Sequence, residues 1–142
     1  MEIPTNAAWL AAYLIMLQQV LMFATGLYRG KKKHGMGVQG DITLERLVRR
    51  HGNLAENAGI FIASVALLEI VTGATPVVFI LCWTFAIART LHSIGFSSAY
   101  GAYKLDGQGG NRLFLIARAL GATISGLSGI VCGVAIAIAL AS

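Results

Sequence analysis

The sequence predicts an all-α membrane protein built as a bundle of four transmembrane helices. Of its 142 residues, 56% are hydrophobic and only 12% are charged, which is far from the usual balance of a soluble domain. Four apolar segments are each long enough to cross a bilayer, which takes about 20 residues: 7–28, 54–73, 76–100 and 113–140. The connections are too short for a second domain, so residues 1–142 are predicted to form one integral membrane domain.

The first apolar segment leads into a strongly basic connection. Its cations are Arg29, Lys31, Lys32, Lys33, Arg46, Arg49 and Arg50. The second connection, around residues 72–75, has no basic residue, whereas the third carries Lys104 and Arg112. The positive-inside rule therefore places the first and third connections in the cytoplasm and both termini on the other side. A bacterial inner membrane and the endoplasmic reticulum both fit this topology, and since orientation explains the net charge of +5, nucleic acid is not expected as a partner.

The second helix is predicted to begin well before its apolar stretch. Asp41 with Thr43 offers an N-terminal cap, because side-chain oxygens there accept bonds from free backbone N–H groups. Polar residues then recur at steps of three, four and three: Arg46, Arg49, Asn53 and Glu56. Such spacing predicts one polar stripe along a helix, with Glu56 buried where the membrane span begins.

The third and fourth segments carry isolated cationic groups. Arg89 and His92 are three residues apart and share a helix face, and Arg118 lies in the fourth segment. A charge inside a bilayer costs at least ~2.5–3.5 kcal/mol, so such groups indicate a partner or a function. Folding the hairpins about their connections brings four polar positions to one depth: Gln18 or Gln19, Glu56, His92 and Arg118. The simplest alternative to a functional layer is that Glu56 pairs with Arg89 to hold the bundle together.

Other notable residues are predicted to be structural. The fourth segment carries small residues at four-residue spacing, which permits close packing of helices within or between subunits: Gly121, Ser125, Gly129 and Gly133. Cys82 and Cys132 lack a second Cys or a suitably spaced His, so no metal site is predicted. Glu69 is expected to reach the membrane interface from the far end of the second helix.

Arginines combined with an Asn and one acid suit a small zwitterionic ligand that carries several carboxylates. Arginine binds carboxylates through paired hydrogen bonds, and the acid can accept an ammonium group. Glutathione fits this description, since it has two carboxylates, one ammonium and a thiol. Nearby cations favour the thiolate, which is the nucleophilic form, and a lipophilic electrophile could reach it from the bilayer.

These motifs carry a family resemblance. The run Glu45-Arg46-x-x-Arg49-x-x-x-Asn53-x-x-Glu56, the piece Ala88-Arg89-x-x-His92, the four spans and the basic first connection resemble the MAPEG family, the membrane-associated proteins of eicosanoid and glutathione metabolism. The resemblance extends over nearly the whole chain. It implies a four-helix subunit, a homotrimer, and glutathione held between neighbouring subunits near the cytoplasmic side.

The resemblance also implies roles for individual positions. Those that match glutathione contacts are Arg29, Arg49, Asn53, Glu56, Arg89 and His92. The arginine that activates the thiol lies at the start of the fourth helix in the eicosanoid enzymes. An ungapped match puts Gly109 there, and a small shift gives the catalytic role to Arg112. Phe96 stands where those enzymes carry a Tyr.

Three classes of function follow from these features. The leading one is a membrane glutathione transferase or peroxidase that acts on lipophilic electrophiles or lipid hydroperoxides, with glutathione as cosubstrate. The second is a catalytically silent glutathione-binding or scaffold protein, which the Gly109 mismatch favours. The third is a small four-helix transporter, but such exporters rely on an acid in the first helix, where this chain has only Gln18 and Gln19.

Overall fold

A computed structural model describes residues 3–97 and 112–141. They form four α-helices: α1 (Thr5–Lys32), α2 (Ile42–Thr72), α3 (Pro76–Gly95) and α4 (Arg112–Ala141). All four are long and apolar enough to cross a membrane, so the predicted all-α, four-span fold is confirmed. α2 and α3 each contact the three other helices, and the most extensive packing joins α3 to α4 and α1 to α2.

Asp41 caps α2, as predicted. Its carboxylate accepts a bond from the backbone N–H of Leu44 at 3.0 Å and another from the Tyr28 hydroxyl at 3.1 Å. These bonds, that of Leu44 most of all, hold the pKa of Asp41 below its usual value. The carboxylate therefore stabilises the folded chain at neutral pH, and this contribution is lost as the pH falls through the lowered pKa. Because Tyr28 belongs to α1, the cap also ties the end of α1 to the start of α2.

α2 is longer than the membrane requires. Its 31 residues extend about 46 Å, against about 30 Å of hydrocarbon. About 20 residues counted from the far end suffice to cross, so we expect Glu56 to lie close to the hydrocarbon boundary. We expect the preceding turns, with Arg46, Arg49 and Arg50, to lie at the level of the lipid headgroups.

α3 ends earlier than predicted. It stops at Gly95, with Phe96 as its C-cap, whereas the apolar stretch suggested residue 100; residues 98–100 lie outside the described part of the chain. Glycine disfavours the helix, and the Ser97 hydroxyl donates to the carbonyl of Ile94 at 2.7 Å. Such local side-chain bonds compete with continuation of a helix.

Glu69 is buried at the end of the bundle where α1 begins, and its predicted position at the membrane interface stays a prediction. Only 3% of it is exposed. Its carboxylate accepts bonds from the backbone N–H groups of Asn6 and Ala7, at 3.0 and 2.9 Å, and from the Asn6 side chain at 2.7 Å. α1 follows Pro4, which has no side-chain oxygen to cap it, so an acid from α2 satisfies the free N–H groups and the positive end of the helix dipole.

The core is apolar and so is the outer surface. Leu14 and Val65 belong to the buried cluster, and the rings of Phe61 and Phe85 stack at 3.7 Å between α2 and α3. Large aliphatic side chains also point outward, for example Ile60 and Ile138 at 73% and 65% exposure. Apolar surface on this scale is stable only when lipid or protein covers it.

The small-residue ridge of α4 divides into two parts. A Cβ on Gly121 would lie 2.5 Å from the carbonyl oxygen of Ala88, so only glycine lets α4 approach α3 this closely. Ser125 is buried on the same face. A Cβ on Gly129 or Gly133 would meet nothing within 4 Å, so these two residues are not used for packing inside the described chain.

Candidate functional site

The most buried charge of the described residues belongs to Arg89, which is 1% exposed. Its Nη2 donates to both the backbone oxygen and the side-chain oxygen of Asn53, at 2.9 and 3.2 Å. Its Nη1 lies 3.5 Å from the hydroxyl oxygen of Ser125. Pairs of oppositely charged side chains in which both partners are described residues are Arg49–Glu45 and His34–Asp41. The alternative pairing of Glu56 with Arg89 is therefore not realised, and an amide takes the place of the acid.

Polar atoms of α3 that have no hydrogen-bond partner among the described residues lie near Arg89 and Asn53. His92 is buried one turn along α3, and within the described part of the chain its Nδ1 and the hydroxyl of Ser93 have no hydrogen-bond partner. The Nε of Arg89 has none either. Buried polar groups are normally bonded, so this cluster can still accept a polar ligand or an ordered water.

The polar residues of α2 form two faces and not one stripe. Arg46 and Asn53 are half-buried against the bundle, whereas Arg49 and Glu56 are exposed. A helix turns about 100° per residue, so the ten residues from Arg46 to Glu56 leave these two side chains about 80° apart. The prediction that Glu56 is buried inside the chain was wrong for this reason.

The exposed face of α2 carries two opposite charges. The Nε of Arg49 donates to Glu45 at 2.9 Å, and this arginine side chain remains 68% exposed. Glu56 forms no ion pair with any described residue. Glu56 follows Arg49 by seven residues, which separates their backbones by about 10 Å along the helix, so one elongated ligand can contact both charges.

Other candidate residues lie at the end of the bundle where α2 begins. α4 also begins at this end, and α1 and α3 end there. Arg29, in the last turn of α1, donates to the carbonyl of Gly37 at 2.8 Å. Arg112 is the first residue of α4 and is exposed. Gly109 and Lys104, in the third connection, lie outside the described residues.

The proposed layer of polar groups at one depth is realised only in part. The guanidinium of Arg118 lies 5.0 Å from the ring centre of Phe96, and the His92 ring lies 5.1 Å from the same ring. Glu56 faces outward and does not join this group. The side-chain oxygen of Gln18 is buried without a hydrogen-bond partner among the described residues, beside a cavity of about 430 Å³ between α1 and α2.

Sequence reasoning missed two residues of this region as site members. Arg50 is half-buried, and neither its Nε nor that of Arg46 has a hydrogen-bond partner in the described ranges. Their spacing of four residues, which makes side chains neighbours on a helix, was the available signal. Ser125 had been assigned to packing alone. Nothing in its sequence context showed that its hydroxyl approaches Arg89 while donating to the carbonyl of Gly121 at 2.7 Å.

Comparison with known proteins adds one finding. A family model described as the MAPEG family matches residues 7–141. No curated protein and no solved structure gave a significant match. The match extends over nearly the whole chain, all four helices included, and confirms the resemblance found in the motifs of α2 and α3.

Proposed function

The chain belongs to the MAPEG family, and from that premise we propose that it is a membrane glutathione-dependent transferase or peroxidase. It acts on lipophilic electrophiles or lipid hydroperoxides through the thiolate of bound glutathione. The observation that carries the proposal is the exposed face of α2, where Arg49 and Glu56 offer opposite charges about 10 Å apart. Glutathione has a carboxylate at one end and both an ammonium and a carboxylate at the other, so it complements this face.

Six residues hold glutathione in this proposal: Arg29, Arg49, Asn53, Glu56, Arg89 and His92. Arg49 binds a carboxylate through charge-assisted hydrogen bonds, and Glu56 accepts the ammonium. Arg89 is buried behind Asn53, so it acts by fixing the orientation of that amide. Arg112, exposed at the start of α4, stabilises the thiolate, because nearby cations lower the pKa of a thiol.

The reaction requires little further chemistry from the protein. In conjugation, the sulfur anion forms a C–S bond with the electrophilic carbon, and the leaving group departs with its electron pair. In peroxide reduction, the sulfur anion attacks the terminal oxygen of the O–O bond, which gives glutathione sulfenic acid, while the alkoxide leaves and takes up a proton to become the alcohol. The thiol of a second glutathione then attacks the sulfenic sulfur, which forms the disulfide and releases water. Both routes need the thiolate beside the bilayer, where the lipophilic substrate is dissolved.

The same face supports association with a second subunit, and the family resemblance implies that the assembly is a homotrimer. Glu56 lies close to the hydrocarbon boundary, and a carboxylate exposed to lipid there is costly. A neighbouring subunit that covers this face of α2 removes the cost and encloses the ligand between subunits. Glu56, which pairs with no described residue, thus belongs to a site that a second chain completes.

Thermal stability in detergent, measured with and without glutathione, tests the proposal. A ligand that binds only the folded state stabilises it by about 2.7 kcal/mol at a hundred times its Kd, so glutathione is expected to raise the Tm. Arg49→Ala and Glu56→Gln each remove a bond to a charged group worth about 1.5–3 kcal/mol, and should weaken binding roughly ten- to a hundredfold.

Lys33→Ala is the matched control, because Lys33 is an exposed cation of the same basic end that the proposal does not use. It should leave the glutathione-dependent rise in Tm unchanged. All variants should melt close to the parent protein when glutathione is absent. Equal Tm shifts in the control and the two site variants would contradict the proposed contacts.

A catalytically silent glutathione-binding or scaffold protein is the second candidate. It is favoured by Phe96, whose ring contacts His92 and Arg118 and has no hydroxyl at a position where the resemblance implies a Tyr. Thiol consumption with a model aromatic electrophile separates the two candidates. Binding without any consumption supports the silent protein, and consumption above the uncatalysed rate supports the enzyme.

A further inference from the structure

A second cavity lies between α1 and α3, and Arg89 is not among the residues that line it. It has a volume of about 610 Å³ and is open on one side between α1 and α3. Its lining runs along α3 from Phe79 to Leu91, a length of about 18 Å. None of the six residues proposed to hold glutathione is among the residues that line it. The cavity therefore shares no residue with the proposed glutathione site.

The cavity exists because its floor is made of short side chains. Cys82, Ala86 and Thr90 recur every four residues along α3 and line it, while Trp9 and Trp83 form its rim. These two are the only tryptophans of the chain, and both are largely exposed. A pocket of this size, with an apolar wall and few polar groups, is typical of sites for compact apolar ligands.

One polar atom in the cavity has a defined hydrogen-bonding role. The Thr90 hydroxyl donates its single hydrogen to the carbonyl of Ala86 at 2.8 Å. With that hydrogen on Ala86, Thr90 accepts the bond that it shares with Tyr13, and the Tyr13 hydroxyl donates it. Tyr13 lines the cavity and is 38% exposed, and no described residue donates to its oxygen. In an apolar surrounding an unpaired acceptor is costly, and a ligand O–H satisfies it.

We propose that this cavity binds a lipophilic molecule with a single hydroxyl group, whose apolar body lies along Ala86 and Cys82 and whose O–H donates to the oxygen of Tyr13. The apolar wall selects a molecule that partitions into the membrane. The free acceptor selects a hydrogen-bond donor over an ether or a hydrocarbon. The site is separate from the charged face of α2 and does not depend on glutathione.

Intrinsic fluorescence tests this directly, because both tryptophans line the cavity and bromine quenches them on contact. The probes are dibromostearyl alcohol and its methyl ether, titrated into the full chain in detergent. The two probes have the same apolar chain, but only the alcohol has an O–H group that can donate a hydrogen bond. One hydrogen bond corresponds to roughly a three- to tenfold lower half-quenching concentration for the alcohol.

Two variants and one control decide the outcome. Tyr13→Phe should make the two probes equal, and Ala86→Leu should reduce quenching by both because it fills the floor. Ala137→Leu, on the exposed surface of α4, should behave like the parent. Equal potency of alcohol and ether in the parent protein, or a preference that survives Tyr13→Phe, would overturn the proposal. If Ala86→Leu does not fold, Tyr13→Phe alone decides.

Discussion

Arg89 is surrounded by an amide and a hydroxyl, and not by the carboxylate expected for a buried arginine. A buried guanidinium is usually matched by a carboxylate, because desolvating a lone charge is expensive. Here the two oxygens of Asn53 and the Ser125 hydroxyl surround it. None of these groups neutralises the positive charge of Arg89. This charge inside the bundle therefore attracts the carboxylates of an anionic ligand.

Asn53 is predicted to be essential for stability as well as for binding. Asn53→Ala removes one acceptor from a buried cation and should cost about 1–3 kcal/mol, with a lower Tm in the absence of ligand. Asn53→Asp keeps an oxygen at the same position and adds the missing negative charge, so it should not lower the Tm. The same Asp should weaken glutathione binding by repelling its carboxylates, which calorimetry can measure. A ligand-free Tm that falls equally in both variants would contradict this account of Arg89.

Substitution of Arg112 separates a role in catalysis from a role in glutathione binding. If it stabilises the thiolate, Arg112→Ala should lower kcat strongly while the affinity for glutathione changes little. The ultraviolet absorbance of bound thiolate should fall in parallel, and a Lys at this position should restore part of it because the charge is retained. Unchanged turnover would remove Arg112 from the catalytic role, and an equal loss of binding would make it a binding residue.

At the scale of the helices, the spans were predictable and their mutual contacts were not. Hydrophobic length set the number of helices, and the Asp41 cap set the start of α2. The outward turn of Glu56 depends on the accumulated rotation of α2 and on which face meets its neighbours. The burial of Glu69 depends on the start of α1, 62 residues away from its contact at Ala7. Periodicity describes one helix, whereas these features need the positions of two.

The contact between α3 and α4 depends on two glycines, and this leads to a stability prediction. A Cβ at Gly121 would lie 2.5 Å from backbone atoms of α3, and one at Gly95 would lie 2.7 Å from the backbone nitrogen of Arg118. Gly121→Ala should therefore force the helices apart and lower the Tm, at a cost of about 1–3 kcal/mol. The same substitution should impair the site, because Ser125 and Arg89 face each other across this contact.

Gly126 offers the matched control on the same helix. A Cβ there would meet nothing within 4 Å. Gly126→Ala should be neutral or should raise stability by up to about 1 kcal/mol, because alanine favours the helix. Differential scanning fluorimetry of the two variants measures the contrast. Similar Tm values for Gly121→Ala and Gly126→Ala would show that close approach of α3 and α4 is not needed.

At the scale of the whole molecule, charge is concentrated at one end of the bundle. The basic residues of the first connection, the two faces of α2 and the start of α4 all lie there. The opposite end carries the Glu69 cap and the short turn at Gly73, with Thr75 as the N-cap of α3. The family match extends over all four helices, so this polarity belongs to the complete fold. The polarity fits the proposed function, in which soluble glutathione reaches the charged end from the aqueous side.

The orientation in the membrane is the last prediction, and cysteine labelling measures it. Cys82 and Cys132 are buried, so the parent chain should react little with a membrane-impermeant maleimide and serves as the background. In intact bacterial spheroplasts, Ile3→Cys should be labelled from outside, because the positive-inside rule puts the N-terminus there. Gly35→Cys, in the basic connection, should be labelled only after the membrane is permeabilised. The reverse pattern would place the charged face of α2 outside the cytoplasm, away from the compartment where glutathione is abundant, and the proposed activity would then lack its cosubstrate.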